Sequence, residues 1–230
     1  GFDHDYHDES RVEFNCKKKS SFEGSFENNF EIAEVSKTVS IKISKDVLQN
    51  SEMNFISHAN ALAMNIQYQP ILELRSDLAK ATGLHLKFFD KWNSKGEAHI
   101  TTLTPPDMEK ILVQKQKFMT AQRVDEIAQE MNIQSSNISI EGIGSATVVL
   151  NGMAESTFFV IVKSPDLLKI RQQIYNEYVA NGGDAKAWNP TQFYPHITVG
   201  YTARDLYESD GVLKDMEHSA DKRFLLDLVD

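Results

Sequence analysis

The sequence predicts an α+β protein, because segments with strand-like and helix-like patterns follow one another without regular β-α-β alternation. The hydrophobic content of 41% is typical of a chain with a packed core, and a length of 230 residues predicts one compact domain. Residues 1–28 are polar and lack a sustained apolar period, so we expect them to form an irregular N-terminal arm. Residues 29–230 are then expected to form the folded domain.

The first half of the folded domain contains both strand and helix patterns. Alternation of apolar and polar residues predicts a strand over residues 35–43. Residues 51–83 carry apolar residues at mixed helical spacings, and with Pro70 inside and Gly83 at the end they predict one or two helices. The remaining predicted elements are a strand over 85–89, a turn over 93–96, a strand over 98–103, and a long or broken helix that starts at 104–107 and ends near Met131.

The second half predicts three strands, a helix and a final strand. Clusters of β-branched and aromatic residues predict strands near 138–140, 148–150 and 158–162, separated by Gly142, Gly144 and the pair 151–152. Ser164 and Pro165 open the clearest helix of the sequence, and the glycine pair 182–183 ends it. Residues 193–202 predict a further strand, and the acidic tail predicts a helix and a short strand.

Two copies of the tripeptide His-Ile-Thr lie in predicted strands: His99-Ile100-Thr101 and His196-Ile197-Thr198. Residues i and i+2 of a strand project to the same face, so each histidine shares a face with its threonine, while the isoleucine points the other way. If the two strands are neighbours in the sheet, two imidazoles and two hydroxyls converge on one polar cleft. The isoleucines then pack beneath the helices.

Such a set of side chains suits phosphodiester cleavage. Imidazole titrates near neutral pH, so one histidine can accept a proton from the attacking group while the other protonates the departing oxygen. Threonine hydroxyls can donate hydrogen bonds to phosphoryl oxygens. We therefore predict His99 and His196 as the catalytic residues and Thr101 and Thr198 as phosphate-binding residues, with no cofactor and no metal. The sequence does not indicate which histidine is the acid and which the base.

The paired tripeptides resemble those of the 2H phosphoesterase superfamily, which includes 2′-5′ RNA ligase-like proteins, cyclic nucleotide phosphodiesterases and RNA-processing relatives. The aromatic-Pro-His lead of the second copy, Tyr194-Pro195-His196, is also similar, and the resemblance covers roughly residues 35–202. It implies two pseudo-symmetric lobes of antiparallel sheet with packed helices around a central cleft. It also implies cleavage of 2′,3′-cyclic phosphates or related 2′-linked esters.

Aromatic residues near the second tripeptide are candidates for stacking on a base. Tyr194 shares the predicted face of His196, because the two are separated by two positions, and it is retained as a candidate. Counting from His196 in steps of two reaches residues 198, 200 and 202, so Tyr201 is expected to face the opposite side and is excluded.

The net charge of −9 argues against a broad basic surface for long nucleic acids and favours a small nucleotide or an RNA end as substrate. No membrane partner is expected, because no apolar run is long enough to span a bilayer. A soluble protein is predicted, either cytoplasmic or exported after removal of a leader. The oligomeric state and any role of the single cysteine, Cys16, are left open.

Two other functional classes remain as alternatives. The same scaffold can serve as a module that binds a nucleotide or phosphate without cleaving it. A metal hydrolase is the third possibility, but the histidines and acids of the N-terminal arm, His4 and His7 among them, lack the regular spacing of metal ligands. His58, His85 and His218 lie in no motif and are interpreted as surface or structural residues.

Overall fold

The computed structural model describes residues 37–49, 55–58, 60–88 and 97–230. The strands are β1 (Val39–Ser44), β2 (Ile56–His58), β3 (Ala61–Ile66), β4 (Ala98–Leu103), β5 (Ser139–Leu150), β6 (Met153–Lys163), β7 (His196–Tyr201) and β8 (Phe224–Val229). The helices are α1 (Tyr68–Thr82), α2 (Pro105–Ile111), α3 (Val113–Gln116), α4 (Ala121–Glu130), α5 (Pro165–Ala180) and α6 (Met216–Ser219). The predicted N-terminal arm with Cys16 and the predicted turn 93–96 lie outside the described residues.

Six strands form one antiparallel sheet in the order β2-β3-β4-β7-β6-β5, and β1 and β8 form a separate parallel pair. The main hydrophobic core joins one face of the six-stranded sheet to the apolar faces of α1 and α5. Ile100 of β4 and Ile197 of β7 lie in this core and are fully buried. The predicted α+β class is confirmed.

The sheet consists of two halves of similar construction. β2, β3, α1 and β4 form the first half, and β5, β6, α5 and β7 form the second. In each half a helix connects two adjacent antiparallel strands, and the second of those strands carries a His-Ile-Thr tripeptide. The helices begin 97 residues apart (165 − 68), the same separation as the histidines (196 − 99). The predicted lobes are therefore the two halves of one continuous sheet, which meet at β4 and β7.

A buried arginine on each connecting helix braces the other half. Arg75 Nε of α1 donates a hydrogen bond to the Val199 carbonyl in β7 at 2.7 Å. Arg171 Nη1 of α5 donates to the Thr102 carbonyl in β4 at 2.9 Å. Each acceptor lies three residues after the histidine of its strand, so the two braces occupy equivalent positions across the β4–β7 pair.

The prediction of helices throughout residues 51–83 was wrong in its first part, where the structure has β2 and β3. All six residues of β3 are buried and only Asn65 among them is polar, so the sequence lacks the apolar–polar alternation of a half-buried strand. The second part is helix α1. Gly83 ends it with a φ of 71°, the left-handed conformation that glycine adopts without strain.

The three strands predicted between residues 138 and 162 are two long ones, β5 and β6, joined at residues 151–152. Gly144 lies inside β5 rather than in a turn. A Cβ atom there would be 2.3 Å from the ring of Phe159 on β6, so the glycine makes room for that ring. Of the predicted strand 85–89, an isolated bridge between Lys87 and Tyr201 is present among the described residues.

The predicted helix starts are confirmed by their caps. Thr104 and Asp107 form a reciprocal capping box at α2, and the Ser164 hydroxyl accepts a hydrogen bond from the Leu167 amide at α5. The helical region that follows β4 is broken into α2, α3 and α4. None of the helices in the described part of the chain is long and apolar enough to cross a bilayer.

Candidate active site

The two tripeptides lie side by side at the centre of the sheet. Ile100 pairs with Ile197 in the antiparallel register of β4 and β7. In that register His99 lies opposite Thr198, and Thr101 lies opposite His196. Since the isoleucines face the core, all four polar side chains share the other face, and the histidines are diagonal neighbours with Cβ atoms roughly 7 Å apart. A tetrahedral group the size of phosphate fits between diagonal neighbours of this kind.

A cavity of about 340 Å³ opens on this face, where β4 ends and β7 begins. His196 and Thr101 line it, whereas His99 and Thr198 are not part of its wall. The remaining wall comes from the start of α2, from residues 188–194 and from the C-terminal segment. Its aromatic members are Trp188, Phe193, Tyr194 and Tyr207, and its charged members are Asp107, Lys110, Arg171, Glu208 and Lys214.

The His196 ring is held in one tautomer by its main-chain neighbour. Its Nδ1 lies 2.8 Å from the Tyr194 carbonyl oxygen, which can only accept a hydrogen bond. Nδ1 therefore carries the proton, and Nε2 of the neutral ring keeps its lone pair. An imidazole arranged in this way can act as a proton acceptor.

The surroundings of His196 favour that neutral ring. Its cross-strand neighbour on β6 is Ile161, and the ring of Phe159 meets the imidazole edge-on with centroids 5.7 Å apart. Burial and the positive charge of Lys214 lower the pKa of His196 from 6.5 to about 4. His196 is therefore neutral at physiological pH, with Nε2 unprotonated.

His99 has different neighbours. It is buried, and its cross-strand partner on β3 is Asn65, while Ala63 lies opposite Thr101. The first half thus places an amide and a methyl group where the second half places Ile161 and Phe159. The two histidines occupy equivalent strand positions in unlike environments.

An aspartate and a lysine without any sequence motif lie beside the second tripeptide. Asp205 accepts hydrogen bonds from the Thr157 hydroxyl at 2.7 Å and the Thr198 hydroxyl at 3.3 Å, and Lys214 Nζ lies 3.1 Å away. Burial alone would raise the pKa of Asp205, but the charges of Lys214 and His196 and the hydrogen bond from Thr157 outweigh it, so the pKa lies below its usual value. Sequence reasoning missed this pair, because its members come from separate segments that meet only in the fold.

The loop at the cavity wall is anchored by Arg171. This fully buried guanidinium donates to the Pro190 and Gln192 carbonyls and to the Asp107 carboxylate, which also accepts from Trp188 Nε1. Sequence reasoning also missed Arg171. An arginine on the apolar side of the clearest helix is a signal that was available, since a buried guanidinium needs several acceptors.

The predicted stacking residue Tyr194 lies in the cavity wall. The parity argument that excluded Tyr201 was wrong, because the register of β6 and β7 shifts between Phe158 and Phe159. After this bulge Tyr201 pairs with Thr157, whose hydroxyl reaches Asp205 on the histidine face. Tyr201 nevertheless does not line the cavity.

Of the other histidines predicted to be uninvolved, His85 and His218 do not line the cavity. His85 is exposed, and His218 is exposed and bonded to Asp215, while His4 and His7 lie outside the described residues, as does the side chain of His58. Among the described residues, Asp215, Glu217 and His218 have the spacing of metal ligands. They form a surface group outside the cavity wall.

Comparison with known proteins gives one match. A family model described as "Swiss Army Knife, 2H phosphoesterase domain" matches residues 60–207, a span that contains both tripeptides. The resemblance drawn from those tripeptides is confirmed over this span. Neither the curated proteins nor the solved structures contain a significant match.

Proposed function

The chain belongs to the 2H phosphoesterase family, whose model matches more than half of it, and we propose that it is a metal-independent phosphodiesterase acting on 2′,3′-cyclic or other 2′-linked phosphodiesters. A phosphodiesterase-type activity follows from the family. The observation that carries the finer proposal is the register of β4 and β7, which sets two imidazoles and two hydroxyls on one face of the sheet, where His196 and Thr101 line a cavity. The substrate is a small nucleotide or an RNA end.

His196 acts as the base in the proposed reaction. Its neutral ring has an unprotonated Nε2, because Nδ1 donates to the Tyr194 carbonyl. Nε2 takes a proton from the attacking water as the water oxygen forms a bond to phosphorus. This assigns a role that the sequence left open.

His99 acts as the acid. It protonates the ester oxygen of the ribose as the bond from that oxygen to phosphorus breaks, which leaves a phosphate monoester on the neighbouring oxygen. One P–O bond forms and one breaks, and the proton taken by His196 balances the proton given by His99. The Thr101 hydroxyl in the cavity wall donates a hydrogen bond to a phosphoryl oxygen as charge accumulates there.

The size and walls of the cavity support a nucleotide substrate. A volume of about 340 Å³ lies at the lower end of the range for small-molecule sites. Tyr194 lies two residues before His196 along the chain and lines the cavity, which supports the proposal that its ring stacks on a base. A net charge of −9 favours a short ligand held at one end over a long polyanion.

The proposal is tested by assaying a panel of 2′,3′-cyclic nucleotides in the presence of a chelator. We expect turnover by the wild-type chain, and a loss of at least about 100-fold for His99→Ala and for His196→Ala. His85→Ala is the matched control, because His85 is exposed and lies in neither tripeptide. Reaction in ¹⁸O-labelled water should place one label in the phosphate monoester.

Wild-type rates in both histidine variants would contradict the proposal. Stabilisation of the chain by nucleotides without product, across the same panel, would instead favour the binding module. Activity lost to the chelator and restored by a divalent cation would identify a metal hydrolase.

A further inference from the structure

Lys214 is a buried cation in the wall of the cavity. Its side chain is 6% exposed, and Nζ lies 3.1 Å from Asp205 Oδ1. Nζ also lies 5.3 Å from the ring centroid of Phe159 and 5.6 Å from that of Tyr207. Because the Phe159 ring contacts His196, the ammonium lies close to the second tripeptide.

The ammonium retains donors for a ligand. It has three N–H groups, and Asp205 is its one hydrogen-bond acceptor among the residues that the structure describes. The rings of Phe159 and Tyr207 contact the ammonium through cation-π interactions and accept no conventional hydrogen bond from it. Two donors therefore remain on a cation that lines the cavity, and an anionic oxygen is the group that would satisfy them best.

Asp205 fixes the ammonium in this position. Its Oδ1 accepts from the Thr157 hydroxyl at 2.7 Å and from the Leu206 amide at 2.8 Å, and its Oδ2 accepts from Thr198 at 3.3 Å. The carboxylate is thus anchored to both β6 and β7. Because His196 belongs to the same pair of strands, Asp205 fixes the position of Lys214 relative to His196.

The hydrogen bond between Thr198 and Asp205 distinguishes the two threonines of the tripeptides, Thr101 and Thr198. The Thr198 hydroxyl donates its proton to Asp205, so it is turned from the space that a phosphoryl oxygen would fill. The Thr101 hydroxyl lines the cavity itself. A donor equivalent to Thr101 is thus missing on the Thr198 side, and Lys214 is a donor that lines the same cavity as Thr101.

We propose that Lys214 binds the reacting phosphoryl group opposite Thr101 and that Asp205, held by Thr157 and Thr198, positions it. This inference rests on the proposed function. One non-bridging oxygen accepts a hydrogen bond from the Thr101 hydroxyl, and the other accepts one from the Lys214 ammonium. Lys214 lies beyond residues 60–207, so this contact is additional to the segment that the family model matches.

The test uses inorganic phosphate as the probe, measured as a competitive inhibitor and by calorimetry. We expect Lys214→Met to weaken phosphate binding by at least about 10-fold, because a charge-assisted hydrogen bond is lost. Lys169→Met is the matched control, since Lys169 lies on an exposed face of α5. It should bind phosphate as the wild type does.

A double variant separates phosphate binding from a purely structural role. Lys214→Met alone leaves Asp205 buried without its cation and lowers stability. Asp205→Asn with Lys214→Met removes both charges, so it should fold and still bind phosphate at least about 10-fold more weakly than wild type. Phosphate affinity equal to wild type in the double variant would overturn the proposal and leave Lys214 as the counter-ion of Asp205.

The two proposals fail in different ways. If the wild-type chain turns over no phosphodiester, the proposed function fails, and the role of Lys214 in that reaction fails with it. If it turns over substrate through His99 and His196 while the double variant binds phosphate normally, the function stands and only the role of Lys214 fails.

Discussion

The two halves of the sheet present the same tripeptide in different surroundings. On β4, His99 and Thr101 face Asn65 and Ala63 of the adjacent strand β3. On β7, the corresponding flank on β6 consists of Ile161 and Phe159. Asp205 and Lys214 lie beside this second tripeptide.

This difference explains how a duplicated motif can serve two roles. Because the two histidines occupy equivalent strand positions, their imidazoles project from the sheet in the same way. A reaction that needs one base and one acid, however, needs one imidazole neutral and the other protonated. The apolar flank and Lys214 lower the pKa of His196 and keep it neutral. In the proposed mechanism, side chains outside the motif thus set the two roles.

The largest effect is expected from the two braces. Arg171→Met should lower the free energy of unfolding by about 3–5 kcal/mol, because it removes the hydrogen bonds to buried carbonyls and leaves the Asp107 carboxylate without its ion-pair partner. Arg75→Met should also destabilise, since it deprives the Val199 carbonyl of its hydrogen bond. Only Arg171 lines the cavity, so only its variant should raise KM.

Urea unfolding and steady-state kinetics measure these two quantities. Lys169→Met, on the same helix as Arg171, should change neither. An equal rise of KM in both arginine variants would contradict this prediction. It would show that the shape of the cavity depends on both arginines, and not on Arg171 alone.

A second prediction concerns stability and pH. The pKa of His196 is about 4 in the folded state and near 6.5 when unfolded, so between these values the unfolded chain binds more protons. The free energy of unfolding that depends on a neutral His196 is therefore fully present above pH 6.5. It is lost as the pH falls towards 4, by roughly 3 kcal/mol in total.

The comparison that isolates this contribution is with His196→Gln, which does not titrate. The difference in unfolding free energy between wild type and variant, measured in urea at pH 7 and at pH 4.5, should shrink at the lower pH. A constant difference would mean that the second half does not depress the pKa of His196.

Sequence alone predicted the part of the site that depends on strand periodicity. The shared face of His99, Thr101, His196 and Thr198 follows from parity over three residues, and both tripeptides lie before any irregularity in their strands. Parity failed at Tyr201 because one bulge reverses it, and a bulge depends on pairing with another strand. Strand alternation therefore predicts which side chains share a face over a few residues, but not beyond a bulge.

The parts that the sequence did not predict depend on long-range contacts. Asp205 becomes informative only when Thr157, 48 residues away, donates to it. The strand character of β3 was hidden because both of its faces are buried. The Gly144 position was interpreted as a break between strands, while its actual task is to accommodate Phe159 of the next strand.

A third prediction disturbs the apolar flank of His196. In Gly144→Ala the new Cβ would lie 2.3 Å from the Phe159 ring and 2.8 Å from Ile161, so both flanking side chains must move. Overpacking of this kind costs about 1–3 kcal/mol and should lower turnover by displacing His196. Gly142→Ala on the same strand meets only the flexible Met216 side chain at 3.3 Å and serves as the control.

Thermal unfolding and kcat measure the outcome. If Gly144→Ala and Gly142→Ala behave alike, the packing of Phe159 is not what supports His196.

The smallest effect is a change in the titration of His196, and it separates the two charges beside it. The charge of Lys214 lowers the pKa of His196, and that of Asp205 raises it. Lys214→Met should therefore raise this pKa, and Asp205→Asn should lower it further. Burial is the largest cause of the depression, so the pKa in Lys214→Met should remain below 6.5. NMR titration of the imidazole resolves both directions without relying on turnover, and shifts of the same sign would mean that the pair acts on His196 through packing rather than through charge.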